Sequence, residues 1–295
     1  MYGEVASGNT SANFIGRYEL KSKSGEGASG VVYRAYDPLL DRDVAIKKAK
    51  AETLSDQELK MVVEEFYHEA AIAGKFAHQN IVTIYDVVNN GIYDYMVLEY
   101  VPGRSVQDYM EATGPLDFEE ALNIMYKCSL ALDYIHYHGV IHRDIKPGNI
   151  MYHPAQGIVK VMDFGVSHKI EEEPSRDTGT IAYMAPEHFD RERRITALTD
   201  IFALGSSLYR MLTGEYPFDN RHTAFQIMHD EPKAMTDLRS DIPLELVDIT
   251  SRAMAKGDGD RYQSAAEMTQ DIEQALQTLY PDSQFLNTSG RYSAI

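Results

Sequence analysis

The stretch His142-Arg143-Asp144-Ile145-Lys146-Pro147-Gly148-Asn149 sets an aspartate, a lysine and an asparagine within six positions, between Gly139-Val140-Ile141 and Ile150-Met151-Tyr152. A solvated turn could hold such residues without any chemistry, so the surrounding sequence decides. Asp163-Phe164-Gly165 follows after two more short apolar runs. One carboxylate (Asp163) and one amide oxygen (Asn149), completed by phosphate oxygens and water, form the donor set a hard Mg²⁺ ion accepts. Asp144 is then a second carboxylate able to take a hydroxyl proton, and Lys146 a cation able to neutralise a moving phosphoryl group.

Upstream, Gly25-Glu26-Gly27-Ala28-Ser29-Gly30-Val31-Val32 has the form G-x-G-x-x-G-x-V. Three glycines let a hairpin lie close over a polyphosphate with backbone N–H groups facing the anion. A flexible turn would read the same in isolation. The pattern falls between two strand-like runs, which disfavours a dinucleotide-binding strand-to-helix turn. Val44-Ala45-Ile46-Lys47 follows, and strand alternation points Ala45 and Lys47 to one face. Ser55 and Glu58 have capping-box spacing, opening a helix with an apolar stripe at Leu59, Val62, Phe66, Ala70, Ala73 and Phe76. Glu69 falls on that stripe. A carboxylate on a buried face needs a cationic partner, and Lys47 is a suitable one.

Downstream, Gly179-Thr180 precedes Tyr183-Met184-Ala185-Pro186-Glu187, and Asp200 opens a further helical pattern. Glu187 and Arg261 read either as a buried ion pair or as two surface charges, and the pattern leaves both open.

The whole chain bounds these readings. With 295 residues and 44% hydrophobic content it can bury one large core or two modest ones. A net charge of −17 argues against wrapping a nucleic-acid backbone. There is no run of about 18 apolar residues for a membrane span, and no basic-then-apolar leader at the N-terminus. The single cysteine, Cys128, reads as a small core residue. A cytoplasmic protein is expected. Residues 1–16 read as a loose tail, 17–101 as a β-rich lobe with one major helix, 102–280 as a larger helical lobe, and 281–295 as a polar tail. Strands are expected at Arg17 to Tyr36, Val44 to Lys48, Ile81 to Val88 and Tyr93 to Tyr100, the last two around an Asn89-Asn90-Gly91 turn. Helices are expected from Asp117 to Gly139 and at roughly 200–213, 221–230, 244–255 and 264–279.

Taken in order along the chain, these motifs resemble a eukaryotic-type (Hanks-type) protein kinase of the bacterial serine/threonine group, over about residues 17–280. The resemblance implies a bilobal α+β kinase fold with ATP in its cleft. It also implies roles, position by position. The Gly25, Gly27, Ser29 and Gly30 loop would cover the phosphates, which Lys47 would bind while paired to Glu69. Asp144 would orient the acceptor hydroxyl and take its proton, Lys146 would steady the γ-phosphate, and Asn149 and Asp163 would hold Mg²⁺. Val32, Ala45 and Met151 match positions that sandwich adenine. Glu99 and Val101 match hinge positions that read its edge, behind Leu98 as gatekeeper.

Lys146 and Thr180 resemble serine/threonine rather than tyrosine kinases, implying protein substrates with Ser/Thr acceptors. Arg143 looks like the type that senses a charged activation loop. Among Ser167, Ser175, Thr178 and Thr180, Thr180 is expected to be occupied structurally. That leaves Ser175 and Thr178 as autophosphorylation candidates, with a homodimer as the vehicle in trans. The acidic run Glu171-Glu172-Glu173 reads as a solvated face or as built-in charge for Arg143. Gln79 and Lys256-Gly257-Asp258-Gly259 depart from the family pattern away from the chemistry. An acidic helical lobe would favour basic peptides. A pseudokinase using the same fold as a nucleotide-binding scaffold is the competing reading, and a small-molecule kinase the third. Family members often continue into a membrane span and a sensor domain, so the chain reads as a soluble kinase or an excised catalytic domain.

Overall fold

The computed structural model describes residues 14–27, 30–49, 56–89, 94–169, 180–218 and 223–283. Ser29, Ser55, the Asn90-Gly91 turn, Glu171 to Glu173, Ser175 and Thr178 lie outside them, as do most of both tails. The chain divides into two compact units. One comprises Met1–Ala70 with Thr83–Tyr100, and the other Ala71–Val82 with Val101–Ile295. Residues 71–82, which the sequence keeps beside their helix, therefore group with the larger unit.

The first unit is a sheet with one helix. Strands β1 (Phe14–Ile15), β2 (Tyr18–Gly27), β3 (Gly30–Asp37), β4 (Arg42–Ala49), β5 (Ile84–Asn89) and β6 (Asp94–Glu99) pair antiparallel in the order β1-β2-β3-β4-β6-β5. Alternation splits the side chains between two faces. Val44 and Ile46 pack with Ile15, Tyr18, Ala35, Tyr95 and Val97 on one. The other face carries Ala49 and Met96 against Phe66 of helix α1 (Asp56–Ala73). Phe76 lies past the end of α1, where the chain turns through Lys75 N–H to Ile72 O and Phe76 N–H to Ala73 O. The sequence stripe runs on, but the helix does not.

The second unit is mainly helical. Short strand β7 (Arg104–Ser105) leads into α2 (Val106–Thr113), capped by the Ser105 hydroxyl accepting from Asp108 N–H. Helix α3 (Phe118–Tyr137) starts at Asp117, whose carboxylate caps Glu119 N–H. Gly139 follows at φ 72, the left-handed value that lets a helix end. Cys128 is buried on α3 and its thiol is pushed up to about 12 by burial, so it is core rather than nucleophile. Strands β8 (Val140–Ile141), β9 (Ile150–His153), β10 (Ile158–Val161) and β11 (His168–Lys169) frame the loop that opened the sequence analysis. Helices α4 (Leu198–Thr213), α5 (Thr223–His229), α6 (Met235–Leu238), α7 (Leu244–Ala253) and α8 (Ala265–Leu279) complete the unit. Helix α4 is buried along almost its whole length, including Ile201, Phe202, Leu204, Leu208 and Leu212.

Candidate active site

In the first unit, the sheet register builds a rank of residues across four strands. Gly25 pairs with Val32, Val32 with Lys47, and Lys47 with Met96. Directly paired residues share a face, so Gly25, Val32 and Lys47 look the same way. Ala45, two residues along β4, joins that face opposite Leu98. Glu69 of α1 meets Lys47 there, with Nζ 2.6 Å from Oε2 and both side chains buried. Gly30 is required sterically, because a Cβ on it would lie 2.2 Å from the Lys48 carbonyl oxygen. Gly25 is not, since a Cβ there would meet nothing within 4 Å. Gly27 pairs with Gly30 at the end of the hairpin. Glu99 lies on β6 opposite Val44, so it takes the other face, and its carboxylate accepts from Thr83 N–H.

In the second unit, the β9–β10 hairpin does the positioning. Its last pair is Ile150 with Val161, and one step further Met162 N–H donates to Asn149 O at 2.9 Å. Asn149 and Asp163 are therefore neighbours across the open end of the hairpin. The Asn149 amide nitrogen donates to both the carbonyl and the carboxylate of Asp144, each at 2.8 Å. That fixes its oxygen as the end turned away from Asp144. Asp144 also takes Lys146 Nζ at 2.6 Å on Oδ2, and the N–H and hydroxyl of Thr180, both at 3.0 Å, on Oδ1. Lys146 Nζ in turn donates to the Thr180 hydroxyl at 2.6 Å. Four sequence-selected residues thus form one network, with Asp163 at its edge. Met151, on β9, pairs with Ser105 of β7, and Val101 is buried just before that strand.

The loop owes its shape to residues the sequence assigned no role. Buried Asp200, in the first turn of α4, accepts from His142 N–H at 2.8 Å and from Arg143 N–H at 2.7 Å. His136 of α3 bonds the same Oδ2 as His142 N–H, at 2.8 Å through its Nε2. Burial pushes the Asp200 carboxyl up, yet these bonds outweigh it and hold the group below its ordinary value. The signal was a lone acid in an apolar helix, which must have donors somewhere. His142 accepts from Asp144 N–H at Nδ1, leaving Nε2–H for the Met162 carbonyl at 3.2 Å. Arg143 and Asp163 both hold left-handed backbone, at φ 69 and 67. Such strain persists where the surroundings fix it. Phe164 is buried against His142 and Phe76, with ring centroids 4.7 and 5.4 Å apart.

Glu187 and Arg261 are a buried pair, not surface charges. Two parallel bonds of 2.8 and 2.9 Å join them, and the Thr199 hydroxyl donates to Glu187 Oε1 at 2.8 Å. Burial alone would push the Glu187 carboxyl up, but the Arg261 fork holds it below the usual value. Ser167 is buried and donates to the His142 carbonyl, so it is occupied, as is Thr180.

This combination of a β-sheet unit bearing a lysine–glutamate pair and a helical unit bearing an Asp–Lys–Asn loop defines the class. The protein kinase domain matches residues 18–280, and the chain belongs to that family. It is 37% identical over 274 residues to a probable serine/threonine-protein kinase of Corynebacterium efficiens, covering 87% of this chain and 41% of the relative. It is 36% identical over 268 residues to the serine/threonine-protein kinase PrkC of Bacillus subtilis, covering 88% and 41%. It is 35% identical over 280 residues to the serine/threonine-protein kinase PknB of Mycolicibacterium smegmatis, covering 90% and 44%. The chain thus spans about two fifths of the length of these relatives.

Proposed function

We propose that the chain transfers the γ-phosphoryl group of ATP to serine and threonine hydroxyls of proteins. The observation that carries this reading is the Asp144 carboxylate held jointly by Lys146, Asn149 and Thr180. Asp144 takes the proton of the acceptor hydroxyl as its oxygen bonds to the γ-phosphorus. The bond from that phosphorus to the β–γ bridging oxygen breaks, and ADP leaves. Lys146 neutralises charge on the oxygens in transit. Lys47, held by Glu69, binds phosphates together with the glycine-rich stretch that includes Gly25, Gly27, Ser29 and Gly30, and Val32, Ala45 and Met151 contact the adenine. Leu98 lies behind it, while the backbone at Glu99 and Val101 reads its edge.

The donors at Asn149 and Asp163 suit a hard cation. An amide oxygen turned away from Asp144 and an adjacent carboxylate are the ligand types Mg²⁺ accepts, alongside phosphate oxygens. When bound, Mg²⁺ supplies charge neutralisation on the phosphates. Serine/threonine selectivity rests on the contact between Lys146 and Thr180, and the names of the relatives above point the same way. Ser175 and Thr178 remain the autophosphorylation sites of this reading, in trans between two copies, with Arg143 as the cation that reads them. Among the described residues no helix is long and apolar enough to cross a membrane, and a cytoplasmic setting for the domain fits that.

The test is ATP-dependent labelling of the purified chain and of a basic protein substrate, with Lys47→Met and Asp144→Asn beside it. Each variant is expected to lose labelling by about two orders of magnitude or more while keeping its circular dichroism. Equal labelling in all three would sink the reading. Mapping phosphosites on the active form then tests Ser175 and Thr178.

A further inference from the structure

The second unit carries a cavity outside the network around Asp144. Gln107 and Glu111 of α2, Pro147, Tyr183, Arg210 of α4 and Tyr216 are among the residues lining this cavity of about 130 Å³, which opens to solvent. Two of these walls continue the phosphotransfer network along the chain. Pro147 directly follows Lys146, and Tyr183 is three residues past Thr180. Buried Tyr183 lies within electrostatic reach of both Asp144 and Arg210. Gly148 keeps this side uncrowded, since a Cβ there would sit 3.1 Å from the Gln107 amide oxygen.

Two charges border the cavity, and they are not equivalent. Glu111 is exposed and already accepts from the Gln107 amide at 3.0 Å. Arg210 is half-buried, donates one N–H to the Gly214 carbonyl, and lies 4.3 Å from the centroid of the Tyr216 ring. A guanidinium has five N–H donors in a rigid fork that matches a carboxylate, and holding it on an aromatic ring lowers the entropy lost on binding. We propose that this cavity is a substrate subsite for an acidic side chain, aspartate or glutamate, a few residues from the acceptor hydroxyl, with Arg210 as the specificity-determining residue. This rests on the phosphotransfer reading above and goes on to name the substrate class. A basic side chain in the same place would meet a like charge, with only a solvated, engaged glutamate to offset it. The net charge of −17 does not reverse the preference, because screening confines that field to about 8 Å at physiological salt.

The experiment is a position-scanning set of serine peptides carrying Glu, Gln or Lys at each of four places on either side of the acceptor. The readout is the ratio of kcat/KM for the Glu peptide to that for the Gln peptide at each place. At one place the unmodified chain is expected to favour Glu about three- to tenfold, mostly through KM. Arg210→Gln, a neutral donor that retains hydrogen bonding, should bring that ratio to unity at that place alone, and Arg210→Glu should turn the preference to Lys. A Lys preference or no preference in the unmodified chain overturns the subsite while leaving the kinase intact. So does a Glu preference that survives Arg210→Gln. Failure to phosphorylate any peptide overturns the kinase reading and the subsite with it.

Discussion

At the scale of single residues, burial and hydrogen bonding select protonation states. His78 stacks against Tyr134 with centroids 5.1 Å apart, and its Nδ1 accepts the Asn80 N–H at 3.1 Å. Burial, helped by the positive charge of Lys160, pulls its pKa from 6.5 down to about 4. A proton on Nδ1 would also break the bond to Asn80. The folded value lies below the unfolded one, so the unfolded chain binds more protons as pH falls from about 6.5 to about 4. Stability present above that window is lost across it. Because the ring is not fully enclosed, the loss attributable to His78 is on the order of 1–2 kcal/mol rather than the full linkage value. Urea unfolding of the unmodified chain and His78→Gln at pH 7 and pH 4.5 should show the smaller acid loss in the variant. Equal losses would show that His78 does not carry this linkage. Lys47 and Glu69 illustrate the same physics at a position legible from sequence, because an acid on an apolar stripe announces its need for a cation.

At the scale of elements, the Glu187–Arg261 fork ties the segment after Thr180 to the turn before α8. Both side chains are at 1% exposure or less, so removing Arg261 leaves the buried Glu187 carboxylate with the longer Arg193 contact at 3.5 Å in place of the fork. Arg261→Met is expected to cost about 3–5 kcal/mol in denaturant unfolding, and the double variant with Glu187→Gln clearly less than the sum of the singles. Additive losses would show that the two do not act as a unit. The fork also gives a pH signature. Its lowered carboxylate value contributes stability above about 4.5 that is lost as pH falls further. Sequence left this pair undecided, since spacing across 74 residues says nothing about burial. Helix α2 was missed for a different reason. Only Val106 and Met110 are buried on it, too few for a period to show, although Ser105 and Asp108 had the spacing of a cap. Phe76 errs the other way: an apolar stripe continues through a turn because a packed turn also needs apolar residues.

At the scale of the whole molecule, the motifs were legible because the proposed phosphoryl chemistry demands particular residue types in a fixed order. The scaffold that shapes them was not. Asp200 reaches His142 and Arg143 from 58 and 57 residues away through backbone N–H groups. Backbone donors carry no residue signature, so no reading of residue types could find them. Charge is the remaining whole-chain property, and it leads to a prediction with two opposed contributions. A net −17 on 295 residues repels itself more strongly when folded than when expanded, so added salt should stabilise. Salt also weakens exposed ion pairs such as Lys60–Glu64 and Lys23–Glu26, but these contribute only about 0–1 kcal/mol each. The enclosed pairs, Lys47–Glu69 and Glu187–Arg261, are screened little. Repulsion therefore outweighs the loss. Raising NaCl from 10 to 150 mM at pH 7.5 is expected to raise the melting temperature by about 2–4 °C, near 1 kcal/mol for a chain of this size. A melting temperature that falls over that range would mean that exposed pairs, not net charge, govern the surface electrostatics.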